Sequence, residues 1–259
     1  MQRPNPSDAV PVPSIPSCDR GPIPNPVTWR TSPEPLFLSA QTVHLWRCSL
    51  TRSLSSAEQA IVAADCDRAQ AYGSNRRHQF LCGRWWLRQL LSLYLPEEPA
   101  DFRFQLSPTG KPELPQSNLC FNLSHSGSTL LIAIAWQPVG VDVEQPRSRS
   151  WLALARRYFP SAELAAMQQS TDCDRWGLAS WVCKEAWIKA QGRTLANSLR
   201  HLQCAWTANG QPRLSGLGSE ESQVQLLQVD PQEQLWAAIA MPAGWNYQTW
   251  TAAIIRKNH

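Results

Sequence analysis

Lysine is scarce in this chain of 259 residues: there are four, at positions 111, 184, 189 and 257, against 20 arginines. A generic positive charge is therefore written as arginine, and each lysine stands out as a choice. Charge of either sign is sparse. Charged residues make up 17% and leave a formal net charge of only +4, which excludes a polybasic nucleic-acid binder whose affinity comes from many phosphate contacts. Long apolar runs are missing. The longest strongly apolar stretch, 130–136, has seven residues, far short of the roughly 20 that span a bilayer. The N-terminus has no continuous apolar segment, so no secretory signal is expected. Eight cysteines, at 18, 48, 66, 82, 120, 173, 183 and 204, include no CxxC pair and no clustered histidine, which argues against a disulfide framework or a zinc site. The expectations are reduced thiols, a cytoplasmic location, and neither nucleic acid nor membrane as a partner.

What is present suffices for a core, since 43% of residues are hydrophobic and wholesale disorder is excluded. Ten of the 21 prolines fall within 1–35, so 1–40 reads as an extended, Pro-rich tail. From position 41 the pattern changes. Val43, Leu45 and Arg47 interleave with His44 and Trp46 as in a short strand. Ser55-Ser-Ala-Glu58 offers a capping box into a helix reaching about Cys66. A second helix is predicted from near Ser74 to Tyr94, followed by strands at 102–106, 119–123, 129–136 and 139–143. Helices at 151–157, 161–168 and 174–191 and strands around 199–206, 223–229, 234–240 and 248–255 complete the pattern.

The two halves repeat. Phe80-Leu-Cys-Gly-Arg-Trp-Trp-Leu-Arg88 aligns with Trp181-Val-Cys-Lys-Glu-Ala-Trp-Ile-Lys189 at an offset of 101, and Leu130-Leu-Ile-Ala-Ile-Ala135 aligns with Leu235-Trp-Ala-Ala-Ile-Ala240 at an offset of 105. One such pair could be two unrelated amphipathic helices. Two pairs in the same order at nearly the same offset point to duplication, hence an α+β fold of two similar lobes, 41–137 and 138–259, behind the tail.

Three segments carry residues suited to chemistry. In Val139-Gly-Val-Asp-Val-Glu144 the valines alternate with Gly140, Asp142 and Glu144, so a strand buries one face and projects both carboxylates from the other. That face is either simply solvated or compensated by a cation such as Mg²⁺. In the 181–190 segment Trp181, Glu185 and Lys189 recur at i, i+4 and i+8 and share a helix face. An ordinary Glu-to-Lys surface pair would explain this, except that two of the four lysines, Lys184 and Lys189, fall in this one helix. A compact ammonium that meets a phosphate as a point charge accounts for that choice. Phe121-Asn-Leu-Ser-His-Ser-Gly127 is a strand running into a polar turn, where Ser124, Ser126, His125 and backbone N–H groups suit an anion. Upstream, Thr109-Gly-Lys-Pro112 puts Lys111 in a glycine-bearing turn.

The order GKP, FNLSHS, GVDVE and WxxKEAxxKA, spread over 41–255, resembles the 4′-phosphopantetheinyl transferases, in particular their larger, pseudo-dimeric class. That resemblance implies two α+β lobes related by a pseudo-twofold, with coenzyme A and Mg²⁺ in the cleft between them. It implies transfer of the 4′-phosphopantetheine group of coenzyme A to a serine of an apo acyl- or peptidyl-carrier protein, releasing 3′,5′-ADP. It assigns Asp142, Glu144 and Glu185 as metal ligands, Glu185 as general base and Lys189 as the lysine at the phosphates, with Lys184 its motif partner. Ser124 and His125 match the phosphate-contacting Ser-His, and Lys111 the lysine near the nucleotide. Trp181 is expected to pack beside the site. Arg68 is the candidate for the 3′-phosphate, with Arg76, Arg77 and His78 as alternatives. The family's glycine-rich turn after the helix reads Gly192-Arg-Thr-Leu195 here, and Thr194 in place of glycine leaves the local backbone shape open. Fatty-acid, polyketide, nonribosomal-peptide and lysine-pathway carriers all fit, and a monomer is implied. A coenzyme A-binding module without turnover and a Pro-rich adaptor are the readings from other classes. The first leaves the full set of acids unexplained, and the second leaves the ordered motifs unexplained.

Overall fold

Ser55 and Glu58 start the first helix in the way the capping-box spacing predicts. The serine side chain accepts the Glu58 N–H while the Glu58 carboxylate accepts the Ser55 N–H at 2.9 Å, satisfying two groups that a helix start would leave free. The computed structural model describes residues 21–31, 36–146 and 150–252. Two short strands, β1 (Asn25–Pro26) and β2 (Arg30–Thr31), precede β3 (Thr42–Ser49) and helices α1 (Ser56–Ile61), α2 (Cys66–Ala69) and α3 (Ser74–Leu91). The two-residue strands β4 (Gln105–Leu106) and β5 (Pro112–Glu113) lead to a hairpin, β6 (Cys120–Ser126) and β7 (Thr129–Ala135). Next come β8 (Gly140–Glu144), α4 (Trp151–Tyr158), α5 (Ser161–Gln169), α6 (Cys173–Ala190) and α7 (Leu195–Ser198). The chain continues through β9 (Gln203–Trp206), β10 (Pro212–Ser215), β11 (Ser222–Asp230), β12 (Leu235–Pro242) and β13 (Asn246–Thr251).

Each half builds the same unit: a strand, a long helix, then a hairpin whose second strand lies between the first strand and its own hairpin partner. The order β3-β7-β6 in one sheet answers β8-β12-β11 in the other, with every one of these pairings antiparallel. The repeated segments 80–88 and 181–189 lie in α3 and α6, and the repeated 130–135 and 235–240 are these middle strands, β7 and β12. Both middle strands are buried along almost their whole length. The reason is that each sheet has two covered faces. One packs on its own helix, and the other packs on the opposite sheet through Val43, Leu45, Ala133, Val141, Leu227 and Ile239, so the middle strands read as continuous apolar runs.

Several predicted elements are shorter than the periodicity implied, each for a tertiary reason. The helix expected to run to about Cys66 breaks into a 3₁₀ turn at Ala63–Asp65, which turns Asp65 inward. Its carboxylate accepts Arg84 Nε at 2.8 Å and Arg88 Nη2 at 2.9 Å. The helix expected to reach Tyr94 ends at Leu91, and the Tyr94 hydroxyl instead accepts Trp46 Nε1 and pairs with His44 Nδ1, both at 2.8 Å. Of the strand expected at 102–106 only Gln105 and Leu106 pair. Phe102 joins the first-lobe core, its carbonyl accepting Arg88 Nη1 at 2.9 Å. The strand expected at 199–206 begins at Gln203, because Leu199 and Leu202 are buried in the turn after α7. β13 ends at Thr251, and the 253–255 part of its expected range lies outside the described residues, as does Lys257.

The segment read as a tail reaches both sheets. β1 adds to β11 and β2 to β13, each in parallel, and Trp29 Nε1 donates to the Val229 carbonyl at 3.1 Å. Residues 1–20 and 32–35 lie outside the described residues. β13, from the far end of the chain, runs parallel to β3 in the first sheet, so the second half supplies a strand to the first.

Candidate active site

The alternation in β8 turns Val141 and Val143 into the core between the sheets and sends Gly140, Asp142 and Glu144 toward α6. That second face is not an ordinary solvated one: Asp142 is buried. Gly140 explains how the helix comes so close. A Cβ there would lie 1.9 Å from the Ala186 carbonyl oxygen and 2.5 Å from the Ala190 nitrogen, so only glycine admits the α6 backbone at this distance. The approach delivers the Glu185 and Lys189 face of α6 onto the acids. Lys189 Nζ stands 2.5 Å from Asp142 Oδ1, 3.2 Å from Glu185 Oε2 and 3.3 Å from Ser124 Oγ. Ser124 Oγ donates to Asp142 Oδ1 at 2.7 Å, and Ser126 Oγ donates to Glu144 Oε2 at 3.3 Å.

This crowding sets the protonation behaviour. Burial and the Asp142 charge push the Glu185 carboxyl up to about 7, against the pull of Lys189. Burial lowers the Lys189 ammonium, but Asp142 and Glu185 more than offset it and hold the group above the usual lysine range. The lysine therefore stays charged, while Glu185 is an acid poised to gain or lose a proton near neutrality.

Among the described residues no group of three or more His, Cys, Asp or Glu side chains converges closely enough to hold a metal ion. The structure gathers Asp142 and Glu185 on one ammonium and holds Glu144 on Ser126. The donor chemistry nonetheless suits a hard divalent cation. All three acids offer oxygen, and Asp142 Oδ2 is buried without a hydrogen-bond partner among the described residues.

Beside the cluster opens a cleft of about 550 Å³, lined on the side of β6 by Ser124, His125 and the 109–112 turn and on the side of α6 by Ile188, Lys189 and 192–195. One part of its lining alternates guanidinium and ring. Arg76 lies 4.6 Å over Tyr72, Tyr72 packs edge-on to Phe80, and Arg68 and Arg84 lie 5.6 and 5.7 Å from the Phe80 ring. Arg68 and Arg76 thus reach the cleft, whereas Arg77 and His78 do not line it. His78 Nε2 pairs with the Leu50 carbonyl at 3.1 Å. Arg84 is a cleft residue that sequence reading missed. It is fixed from behind by Asp65; the repeated segment 80–88 contains Arg84 but did not mark it as a cleft residue, and Asp65 stands in no recognisable motif.

Two of the predicted lysines behave differently from expectation. Lys184 does not join the site. It is fully buried on another face of α6, with Nζ 2.6 Å from Glu163 Oε2 and 3.9 Å from the centre of the Phe159 ring. Glu163 also accepts the Cys204 N–H at 3.1 Å, so the pair ties α5 and β9 to α6. Burial lowers the Lys184 ammonium and raises the Glu163 carboxyl. Lys111 lines the cleft, but its Nζ donates to the carbonyls of Lys189 at 3.0 Å and Val139 at 3.4 Å. It thereby caps the end of α6 from the other lobe, and burial lowers its ammonium. Trp181 packs on Trp151, with ring centres 6.1 Å apart, in the second-lobe core. After α6, Gly192 takes φ +59° and the Arg193 N–H reaches back to the Ile188 carbonyl at 3.0 Å, a glycine-closed helix end. Thr194 sits at φ −91°, ψ 142°, a conformation open to any residue, so its departure from glycine carries no strain.

An α+β protein with two sheets of matching strand order and an acid–lysine cluster beside an arginine-walled cleft is the class defined by this fold and site. A profile of the 4′-phosphopantetheinyl transferase superfamily matches residues 138–240, the stretch holding β8 and α6. The chain is 32% identical over 236 residues to the 4′-phosphopantetheinyl transferase HetI of Nostoc sp. strain PCC 7120, covering 86% of this chain and 98% of HetI. It is 28% identical over 176 residues to the 4′-phosphopantetheinyl transferase Sfp of Bacillus subtilis, covering 66% of this chain and 78% of Sfp. With the 4′-phosphopantetheinyl transferase AcpT of Escherichia coli it shares 36% identity over 131 residues, 48% of this chain and 63% of AcpT. The chain belongs to the 4′-phosphopantetheinyl transferase superfamily. No helix among the described residues is long and apolar enough to cross a membrane.

Proposed function

We propose that this protein transfers the 4′-phosphopantetheine group from coenzyme A to a serine hydroxyl of an apo acyl- or peptidyl-carrier protein, releasing 3′,5′-ADP. The observation that carries this reading is Lys189, which lines the cleft and is held 2.5 Å from Asp142 and 3.2 Å from Glu185. The serine oxygen attacks the β-phosphorus of coenzyme A, and the bond from that phosphorus to the 3′,5′-ADP oxygen breaks. Glu185 takes the serine proton, a task suited to a carboxyl pushed up to about 7 by burial and the Asp142 charge. Lys189 neutralises the charge that moves onto the leaving pyrophosphate oxygen. Ser124 and His125 line the same cleft and suit the phosphate oxygens. Asp142, Glu144 and Glu185 are the residues that would hold Mg²⁺, which when bound supplies further charge neutralisation at the pyrophosphate.

Arg68, Arg76 and Arg84 suit the 3′-phosphate, since a guanidinium forks onto phosphate oxygens, and the Tyr72 and Phe80 rings suit the adenine base. The Lys111 ammonium, spent on two carbonyls, supports the cleft wall rather than the nucleotide. Lys184 has no part in binding. A monomer acting in the cytoplasm on an acidic carrier, without nucleic acid or membrane, fits this reading. The test is intact mass spectrometry of an apo carrier protein incubated with this protein, coenzyme A and Mg²⁺. A gain of one phosphopantetheine on serine is expected. Coenzyme A binding with no gain on fatty-acid, polyketide or nonribosomal-peptide carriers overturns the proposal.

A further inference from the structure

β8 is an edge strand. β12 pairs with it on one side, and on the other its N–H groups meet side chains rather than a backbone. The Val141 N–H donates to Asn122 Oδ1 at 2.8 Å, the Val143 N–H to Ser124 Oγ at 3.4 Å and the Gln145 N–H to Ser126 Oγ at 3.1 Å. Alternate residues of β6 thus take alternate N–H groups of β8 and of Gln145 just past its end. The two hydroxyls also face the other way, Ser124 donating to Asp142 and Ser126 to Glu144. A hydroxyl has one proton and two lone pairs. With a lone pair committed to a backbone N–H, the proton of each serine is left for the carboxylate, and the carboxylate orientation is locked to the strand edge. Ser126 is 1% exposed, so solvent does not compete for this arrangement.

We infer that Ser126 is a positioning residue of the site: by bridging the Gln145 N–H and the Glu144 carboxylate it fixes Glu144 on the face of β8 that looks onto α6. The inference rests on the proposed role of Glu144 as an oxygen ligand, and it deepens that role. Groups that orient a metal ligand characteristically change metal affinity about 10–100-fold when removed. The readout is Mn²⁺ affinity, measured by electron paramagnetic resonance of the free ion on the full-length protein without coenzyme A or carrier. Ser126→Ala is expected to weaken Mn²⁺ binding by about 10-fold or more, Ser126→Thr to retain most of it, and Ser126→Ala to add little once Glu144→Gln is present. Mn²⁺ binding unchanged in Ser126→Ala, with Glu144→Gln weakened, overturns this inference alone and leaves Ser126 as a fold-stabilising contact. Mn²⁺ binding unchanged in Glu144→Gln overturns the ligand reading itself. If Ser126→Ala fails to fold, Ser126→Cys, nearly isosteric but a weak donor, takes its place with the same outcomes.

Discussion

Gly140 and the Ala186 carbonyl oxygen are in backbone contact: a Cβ on Gly140 would lie 1.9 Å from that oxygen. The clash partner is backbone, so no side-chain rotation relieves it. Gly140→Ala is therefore expected to force α6 away from β8 and to cost about 1–3 kcal/mol or more of stability, the range for overpacking. Coenzyme A binding should weaken with it, because Lys189 and Glu185 ride on the displaced helix. A thermal melt and a coenzyme A titration check this, and a variant with wild-type values in both would refute the close-approach argument.

The buried Lys184–Glu163 pair predicts a contrast between single and double variants. Lys184→Met alone leaves an uncompensated buried carboxylate and is expected to cost about 3–5 kcal/mol. Lys184→Met combined with Glu163→Leu removes both charges, and such replacements are often neutral or stabilising by about 1–4 kcal/mol. The double variant should fold and keep its affinity for coenzyme A. Loss of coenzyme A binding in a well-folded double variant would return Lys184 to the ligand contacts.

The arginine wall predicts which part of the nucleotide is read there. Arg76→Ala and Arg84→Met should each weaken binding of coenzyme A by about 10- to 100-fold, matching the roughly 1.5–3 kcal/mol of a hydrogen bond to a charged group. Binding of 3′-dephospho-coenzyme A should change little. Calorimetric titration with both nucleotides tests the contrast, and equal losses for the two would show that the wall reads something other than the 3′-phosphate.

Glu185 links function to stability through pH. Burial and the Asp142 charge raise its carboxyl from 4.5 to about 7 in the folded protein. An acid with a raised folded value is unpenalised below its unfolded value and loses stability as pH rises through the folded one. Without divalent cation, stability should therefore fall between about pH 4.5 and 7 by an amount on the order of 3 kcal/mol. Glu185→Gln should remove this slope, gaining on the wild type at pH 8 relative to pH 5, while abolishing transfer. Urea midpoints at the two pH values measure it; parallel curves for wild type and variant would contradict the raised value. Added Mg²⁺ should lower the Glu185 carboxyl and flatten the wild-type slope.

Much of the site was legible because strand and helix periodicities are local. The two-residue repeat of β8 put Asp142 and Glu144 together, and the four-residue spacing in α6 put Glu185 with Lys189. The ladder of Asn122, Ser124 and Ser126 had the same two-residue signal, but the sequence did not reveal that a second strand edge lay opposite. Arg84 and Asp65 carried no such signal, since they are 19 residues apart and meet only because the helix predicted through Cys66 breaks before Asp65.

From the sequence alone came the duplicated α+β pattern, the acids of one strand face, the lysine of one helix face and the order of motifs that marks the superfamily. Only the tertiary structure decided which lysines meet the cleft. Lys184 and Lys189 are five residues apart, about 140° around a helix of 3.6 residues per turn, so packing one face on β8 necessarily turns the other into the second-lobe core. Periodicity fixes the angle between two side chains on a helix. Which side of that helix is cleft and which is core depends on what packs against it, and here the bare backbone of Gly140 lets β8 and α6 meet.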